Sequence, residues 1–117
     1  MIKIKNEKVL RSFLEVKTHE KLVDILAWLD KHHPDCVVIT CGHRAGDTGV
    51  HGTTPCRGAD IRSWTFKVPG PRAVCKQINA LWSYNYKNPN KRCAIYHKVA
   101  HGAYHIHLQV HPNTTRR

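Results

Sequence analysis

Three places in this 117-residue chain carry side chains that could hold a divalent metal: His51 in a glycine-rich stretch, Asp60 beyond it, and the His105-Ile106-His107 run near the end. A catalytic zinc takes three protein ligands from His, Asp, Glu or Cys and keeps a fourth position for water. Two histidines at i and i+2 of an extended strand point the same way, about 6 to 7 Å apart. That spacing suits one ligand and one neighbour that acts on a substrate. Taken singly, these residues have plainer readings. A strand histidine is commonly a solvated side chain, an aspartate often closes a turn, and ten histidines in one chain make chance pairs ordinary. The combination of ligand types on a loop and two strands is what points to a metal centre.

The elements that must present these groups follow from pattern. After Thr18, a candidate N-cap, Leu22, Ile25, Leu26 and Leu29 recur at helical spacing, and the helix they predict ends near His33 and Pro34. A shorter helix around Val9 to Leu14 is left open. The β-branched run from Cys36 to Cys41 reads as a buried strand feeding a loop from Gly42 to about Arg57. Gly58 to Ser63 reads as a second strand, followed by a turn through Pro69-Gly70-Pro71. Val74, Ile78, Leu81 and Trp82 then mark a second amphipathic helix with Pro71 in its first turn, stopping before Asn88. The last segment reads as two strands, CAIYHKV and AYHIHLQVH, joined through Ala100-His101-Gly102. In the second of them Tyr104, Ile106, Leu108 and Val110 share one face, and His105, His107, Gln109 and His111 share the other. The apolar face belongs to the core and the histidine face to a groove.

Length and an ordinary apolar fraction predict one domain over residues 1 to 117, monomeric. Its charge is uneven. All eight carboxylates lie at or before Asp60, whereas ten Lys or Arg and no acid follow it, within a net +11. Such a half attracts polyanions, and nucleic acid, anionic lipid headgroups and anionic cell-wall polymers all qualify. Five cysteines without a CxxC pair support neither a zinc ribbon nor a disulfide framework, and they fit a protein made in a reducing cytoplasm. Most read as buried thiols; Cys56, between His51 and Asp60, is the one of interest. The N-terminal stretch has scattered charges and no apolar run, so neither a signal peptide nor a membrane span is expected. His32-His33 reads as a helix C-terminus. Trp82, Tyr84 and Tyr86 with the following Lys87, Lys91 and Arg92 could form a stacking surface for single-stranded nucleic acid; core aromatics followed by a solvated loop are expected instead.

The stretch CGHRAGDTGVHGTTPCRGADIRS followed by HIHLQV resembles the zinc peptidases that include D-Ala-D-Ala carboxypeptidases, L-alanyl-D-glutamate endolysins and the hedgehog signalling domain. The resemblance covers roughly residues 38 to 63 and 93 to 111. Carried over, it makes His51, Asp60 and His107 the ligands of one zinc per chain, and His105 the neighbour that handles a proton. Arg44, in the Gly-His-Arg segment, would hold a substrate carboxylate. Two departures stand out. His51 and Asp60 are separated by eight residues where the family has six, with Thr53-Thr54-Pro55 as the extra bulge. Where many relatives place a Glu or Asp three residues before the last ligand, this chain has Tyr104. The base must then be a histidine, His105 with His101 in support, ahead of Asp47.

The resemblance thus implies an α+β fold, two helices packed on a small mostly antiparallel sheet with a zinc groove on its open face. The implied activity is a zinc metallopeptidase, a hydrolase that cuts peptidoglycan stem peptides in the manner of a phage endolysin. Anionic wall polymers would hold it by charge. It would be made in the cytoplasm without an export signal and act on the cell wall after release. The rivals are a basic nucleic-acid-binding module and a zinc domain of this fold without catalysis.

Overall fold

The computed structural model describes residues 1–98 and 102–117. Asn6 starts the first helix, α1 (Glu7–Glu15), its side-chain oxygen accepting the Val9 N–H at 3.0 Å, the usual way to satisfy an orphan donor of a first turn. The second, α2 (Glu20–His32), carries the expected apolar stripe, with Leu22, Ile25, Leu26 and Leu29 all buried. Its cap is His19, whose Nδ1 accepts the Lys21 N–H at 3.2 Å. Thr18 does not cap it, because the chain there is extended and bridges to Cys56: Cys56 N–H donates to Lys17 O and His19 N–H to Cys56 O, each at 2.8 Å. The third, α3 (Pro71–Leu81), begins with its proline in the first turn, where the missing N–H costs nothing. It stops one residue earlier than the apolar spacing implies, since Trp82 turns into a strand. Three helices therefore contribute to the core of the sheet, the two expected and α1, which the pattern leaves open.

The strands are β1 (Lys3–Ile4), β2 (Val38–Cys41), β3 (Gly58–Arg62), β4 (Trp82–Ser83), β5 (Ala94–Lys98), β6 (Tyr104–Gln109) and β7 (Thr115–Arg116). Five form one mixed sheet in the order β1-β2-β3-β6-β5, with β1 parallel to β2 and the other pairs antiparallel. The other two, β4 and β7, make a separate antiparallel pair. The link between β5 and β6 at Ala100 and His101 lies outside the described residues.

Alternation sorts the central strands. Ala59 and Ile61 of β3, Ile106 and Leu108 of β6 and Ala94 of β5 are buried in one core with the α2 stripe and with Val74 and Ile78 of α3. A buried Ile or Leu of this kind contributes roughly 2–5 kcal/mol by the cost of its truncation to Ala. Tyr104, at the start of β6, is 45% exposed, so the apolar face begins at Ile106. Trp82 and Tyr84 also lie in the core. No helix among the described residues is long and apolar enough to cross a membrane.

Candidate metal centre

Core alternation on one side dictates what stands on the other. In the register of β3 with β6, Ile61 opposes Ile106, so Asp60 opposes His107 and Arg62 opposes His105. In the register of β5 with β6, His97 opposes His105 and Ile95 opposes His107. Cys41 at the end of β2 pairs with Asp60 after a register shift. Asp60, His105, His107 and His97 thereby share the face turned away from the core.

His51 is brought over this face by the loop after β2, whose Val50–Gly52 segment forms a single 3-10 turn. Arg44 N–H donates to His51 O at 2.8 Å and Gly52 N–H to Gly49 O at 3.0 Å. The Thr53 hydroxyl donates to Val50 O at 2.8 Å and accepts the Arg57 N–H at 2.8 Å. Thr53 thus ties the turn at both ends, to Val50 before it and to Arg57 after it. Two glycines let the loop lie flat. A Cβ on Gly52 would stand 1.8 Å from Asp47 O, and one on Gly58 2.5 Å from Val50 Cγ2.

Asp60 Oδ1 is the point on which the site converges: His107 Nδ1 lies at 2.9 Å, His51 Nε2 at 3.3 Å and His105 Nε2 at 3.4 Å. Asp60 and His51 are buried, 8% and 5% exposed. A carboxylate oxygen only accepts, so the two nitrogens that hydrogen-bond to it, His107 Nδ1 and His51 Nε2, either carry a proton or share a cation with it. The far nitrogens of two of these rings are fixed. His51 Nδ1 lies 2.8 Å from Gly42 O, an acceptor only, so Nδ1 carries the proton and donates. The Gln109 amide N–H donates to Arg92 O at 2.8 Å, which turns its Oε1 to His107 Nε2 at 3.1 Å, so that this nitrogen donates as well. His51 Nε2 and His107 Nδ1 are then the nitrogens left to hold a cation, oriented by outer partners of the kind that accompany metal-bound histidine.

Cys41, His51 and Asp60 each offer one ligand atom within 4.8 Å of the others, a buried group that could hold a metal ion. Cys41 Sγ, however, lies 3.8 Å from His51 Nδ1, the nitrogen already donating to Gly42 O. Asp60 lies on the Nε2 side. With Nδ1 engaged by Gly42 O, Nε2 is the nitrogen of His51 left for an ion.

Charge follows the same geometry. Burial alone would depress His51, but the hydrogen bond and charge of Asp60, with Cys41 and Gly42 O, outweigh it and raise its pKa to about 10. Burial would lift Asp60, yet hydrogen bonds from His107 and His51 hold it well below the usual carboxylate range. Burial lowers His105, and the neighbouring imidazoles add to this while Asp60 opposes it. In Cys56 burial raises the thiol and Gly58 O accepts from it at 3.2 Å, which leaves it a structural group.

Of the residues singled out by sequence, His51, Asp60, His105 and His107 come together. Arg44 stands in the same loop, but its Nε pairs with Asp47 Oδ2 at 3.4 Å, and its contact with the cluster is through its backbone. Asp47 also accepts the Gly49 N–H at 2.7 Å, so both its oxygens are engaged within the loop. His111 lies past the end of β6, where its Nδ1 accepts the Asn113 N–H at 2.9 Å. His101 falls outside the described residues. Of the aromatics in the Trp82 to Tyr86 stretch, Trp82 and Tyr84 are buried and Tyr86 is 70% exposed, so one of the three faces is open for stacking on a base. Sequence reasoning missed Cys41, Gln109 and His97, whose ring centroid lies 4.3 Å from that of His105 and 5.8 Å from that of His107. The alternation that placed His105 and His107 also runs through CAIYHKV, and the β5–β6 register would have found His97.

No protein family model, curated protein or solved structure matches this chain.

Proposed function

We propose that this chain is a zinc-dependent peptidase acting on the stem peptides of bacterial peptidoglycan, an endolysin-type wall hydrolase. Its ligands are His51, Asp60 and His107, and His105 moves the proton. The observation that carries the reading is the convergence of three imidazole nitrogens on Asp60 Oδ1 within 3.4 Å, with two of the rings oriented from behind by Gly42 O and Gln109. Two imidazoles and a carboxylate form a ligand set typical of hydrolytic zinc, which supplies a polarised carbonyl and a bound water of lowered pKa.

The chain's own residues do the rest. Gly42 O and Gln109 hold each ligand ring in one tautomer, so no reorganisation is needed during turnover. His105 presents Nε2 beside Asp60 and, with its pKa lowered by burial, is a neutral acceptor near pH 7. Its ring meets the edge of His97, which limits its rotation. Arg44 fixes the His51 carbonyl through its backbone, and its half-exposed guanidinium is the candidate for a substrate carboxylate if that group displaces Asp47. The acid-free second half draws the enzyme to an anionic wall.

Metal analysis of protein purified without chelator, with release of soluble peptides from purified peptidoglycan, tests the reading. About one zinc per chain is expected. His107→Ala should lose both metal and turnover, whereas Cys41→Ala should keep both. Full metal occupancy in His107→Ala with loss in Cys41→Ala would reassign the site to the Cys41 side of His51.

A further inference from the structure

β5 is an edge strand, and a groove of about 580 Å³ runs between it and α3. Its walls carry Arg72 and Lys76 from α3 and Arg92 from the segment before β5, with Tyr96 and Ile95 along the strand. All three cations are exposed. No carboxylate lines the groove, and the chain has none after Asp60. The Arg72 guanidinium is steadied over the Tyr96 ring, 5.0 Å from its centroid. At one end the Asn79 amide donates to Ala94 O at 2.9 Å and accepts the Ala94 N–H at 3.0 Å. These are the two bonds that an added strand would make to that residue. By antiparallel alternation the N–H and C=O of Tyr96 point the same way, off the sheet into the groove. Ile95 of its rim is the cross-strand partner of His107, so the strand that edges the groove is the direct neighbour of the strand that carries the candidate ligand.

We propose that this groove is a substrate subsite that takes an extended acidic peptide along β5, by backbone pairing at Tyr96 and ion pairing of its carboxylates with Arg72, Lys76 and Arg92. The inference rests on the peptidase reading and names the chemistry of the substrate flanking the cut bond. Edge pairing supplies a sequence-independent grip and fixes direction. The three cations select carboxylate over amide, and the short step from Ile95 to His107 delivers the chain to the ligands.

The test is equilibrium binding of a fluorescent six-residue peptide containing three glutamates, and of its glutamine counterpart, to the full chain by anisotropy. The expected result is preference for the glutamate peptide and a roughly tenfold or greater loss of its affinity in the Arg72→Ala/Lys76→Ala/Arg92→Ala variant, the order given by three solvent-exposed ion pairs. Affinity for the glutamine peptide should be unchanged, and all three side chains are exposed, so the circular dichroism spectrum should not move. Equal affinity for both peptides, or equal affinity of wild type and variant for the glutamate peptide, overturns the proposal. So does a single-stranded oligonucleotide that binds more tightly than the glutamate peptide and loses affinity in the variant, which would make the groove a phosphate site. Binding is read without turnover, so a chain that binds the acidic peptide yet cleaves nothing retires the peptidase reading and keeps the groove.

Discussion

Gly52→Ala isolates the link between the loop and the metal centre, because the substituted residue touches no ligand atom. The added Cβ would sit 1.8 Å from the Asp47 carbonyl oxygen, and ordinary contact begins near 3.4 Å. The 3-10 turn must therefore open by about 1.6 Å at the residue next to His51, against the Gly52 to Gly49 bond and the Thr53 ties. The obstacle is backbone, so no side-chain rotation relieves it. Overpacking of this sort costs about 1–3 kcal/mol, or roughly 5–15 °C in Tm for a domain of this size. A ligand displaced by more than 1 Å should lower zinc affinity by about 10- to 100-fold, the range seen when ligand orientation is lost, with hydrolysis falling at least as far. Competition with a zinc-binding dye and a thermal melt with and without zinc read both quantities. Gly70→Ala is the control, since a Cβ there meets nothing within 4 Å. If Gly52→Ala takes up zinc and melts like Gly70→Ala, the packing of the 3-10 turn does not position His51.

Gln109→Leu removes the acceptor behind His107 while keeping the fold, and zinc affinity measured by the same competition should fall about 10- to 100-fold; unchanged affinity would show that the ring is held some other way. His105→Ala should retain zinc but lose roughly 10² to 10⁴ in kcat, and a variant with wild-type turnover would move the proton to another group. Metal uptake should also tighten as pH rises. A folded His51 pKa raised to about 10 means that the His51–Asp60 pair stabilises the metal-free chain fully below about pH 6.5, and that this contribution is lost as pH climbs through about 10. Zinc must displace that proton, so zinc affinity should rise roughly tenfold per pH unit across this window. Dye competition between pH 6.5 and 9 reads the slope, and a flat profile would mean that His51 is neutral before the metal arrives.

Much of the fold was legible because the apolar periodicities are clean. Leu22, Ile25, Leu26 and Leu29 repeat at helical spacing, Ile106, Leu108 and Val110 at strand spacing, and all are buried. The short elements were not. β1 has only two residues and exists because the Lys3 and Lys5 N–H groups donate to Val37 O and Ile39 O at 2.9 Å, bonds with no local signature. Helix α1 shows only Val9 buried, too little apolar repetition to separate it from irregular chain. The candidate ligands were legible as residue types, but their assignment to one point in space was not, since it depends on which residues face each other across strands. Cys41 and Gln109 illustrate the limit. Cys41 is one of five scattered cysteines and Gln109 a polar residue on the histidine face, and each gains meaning only from standing behind or beside a particular imidazole.

Register joins the stability of this molecule to its chemistry. A one-residue slip would exchange a strand's two faces, so the burial of Ile106 and Leu108 opposite Ile61 and Ala59 opposes such a slip of β6 against β3. The same choice sets His107 against Asp60 and His105 against Arg62. Asp60, buried among three imidazoles, would be a poor choice for stability alone, since burying a carboxylate is favourable only when its partners are held in place. The partners are held by the apolar face they do not share. A conservative truncation such as Ile106→Val leaves every polar group of the site untouched and should cost about 0.5–1.5 kcal/mol of stability; zinc affinity falling with it in the dye competition would show that the sheet carries the site, and unchanged affinity would refute the link.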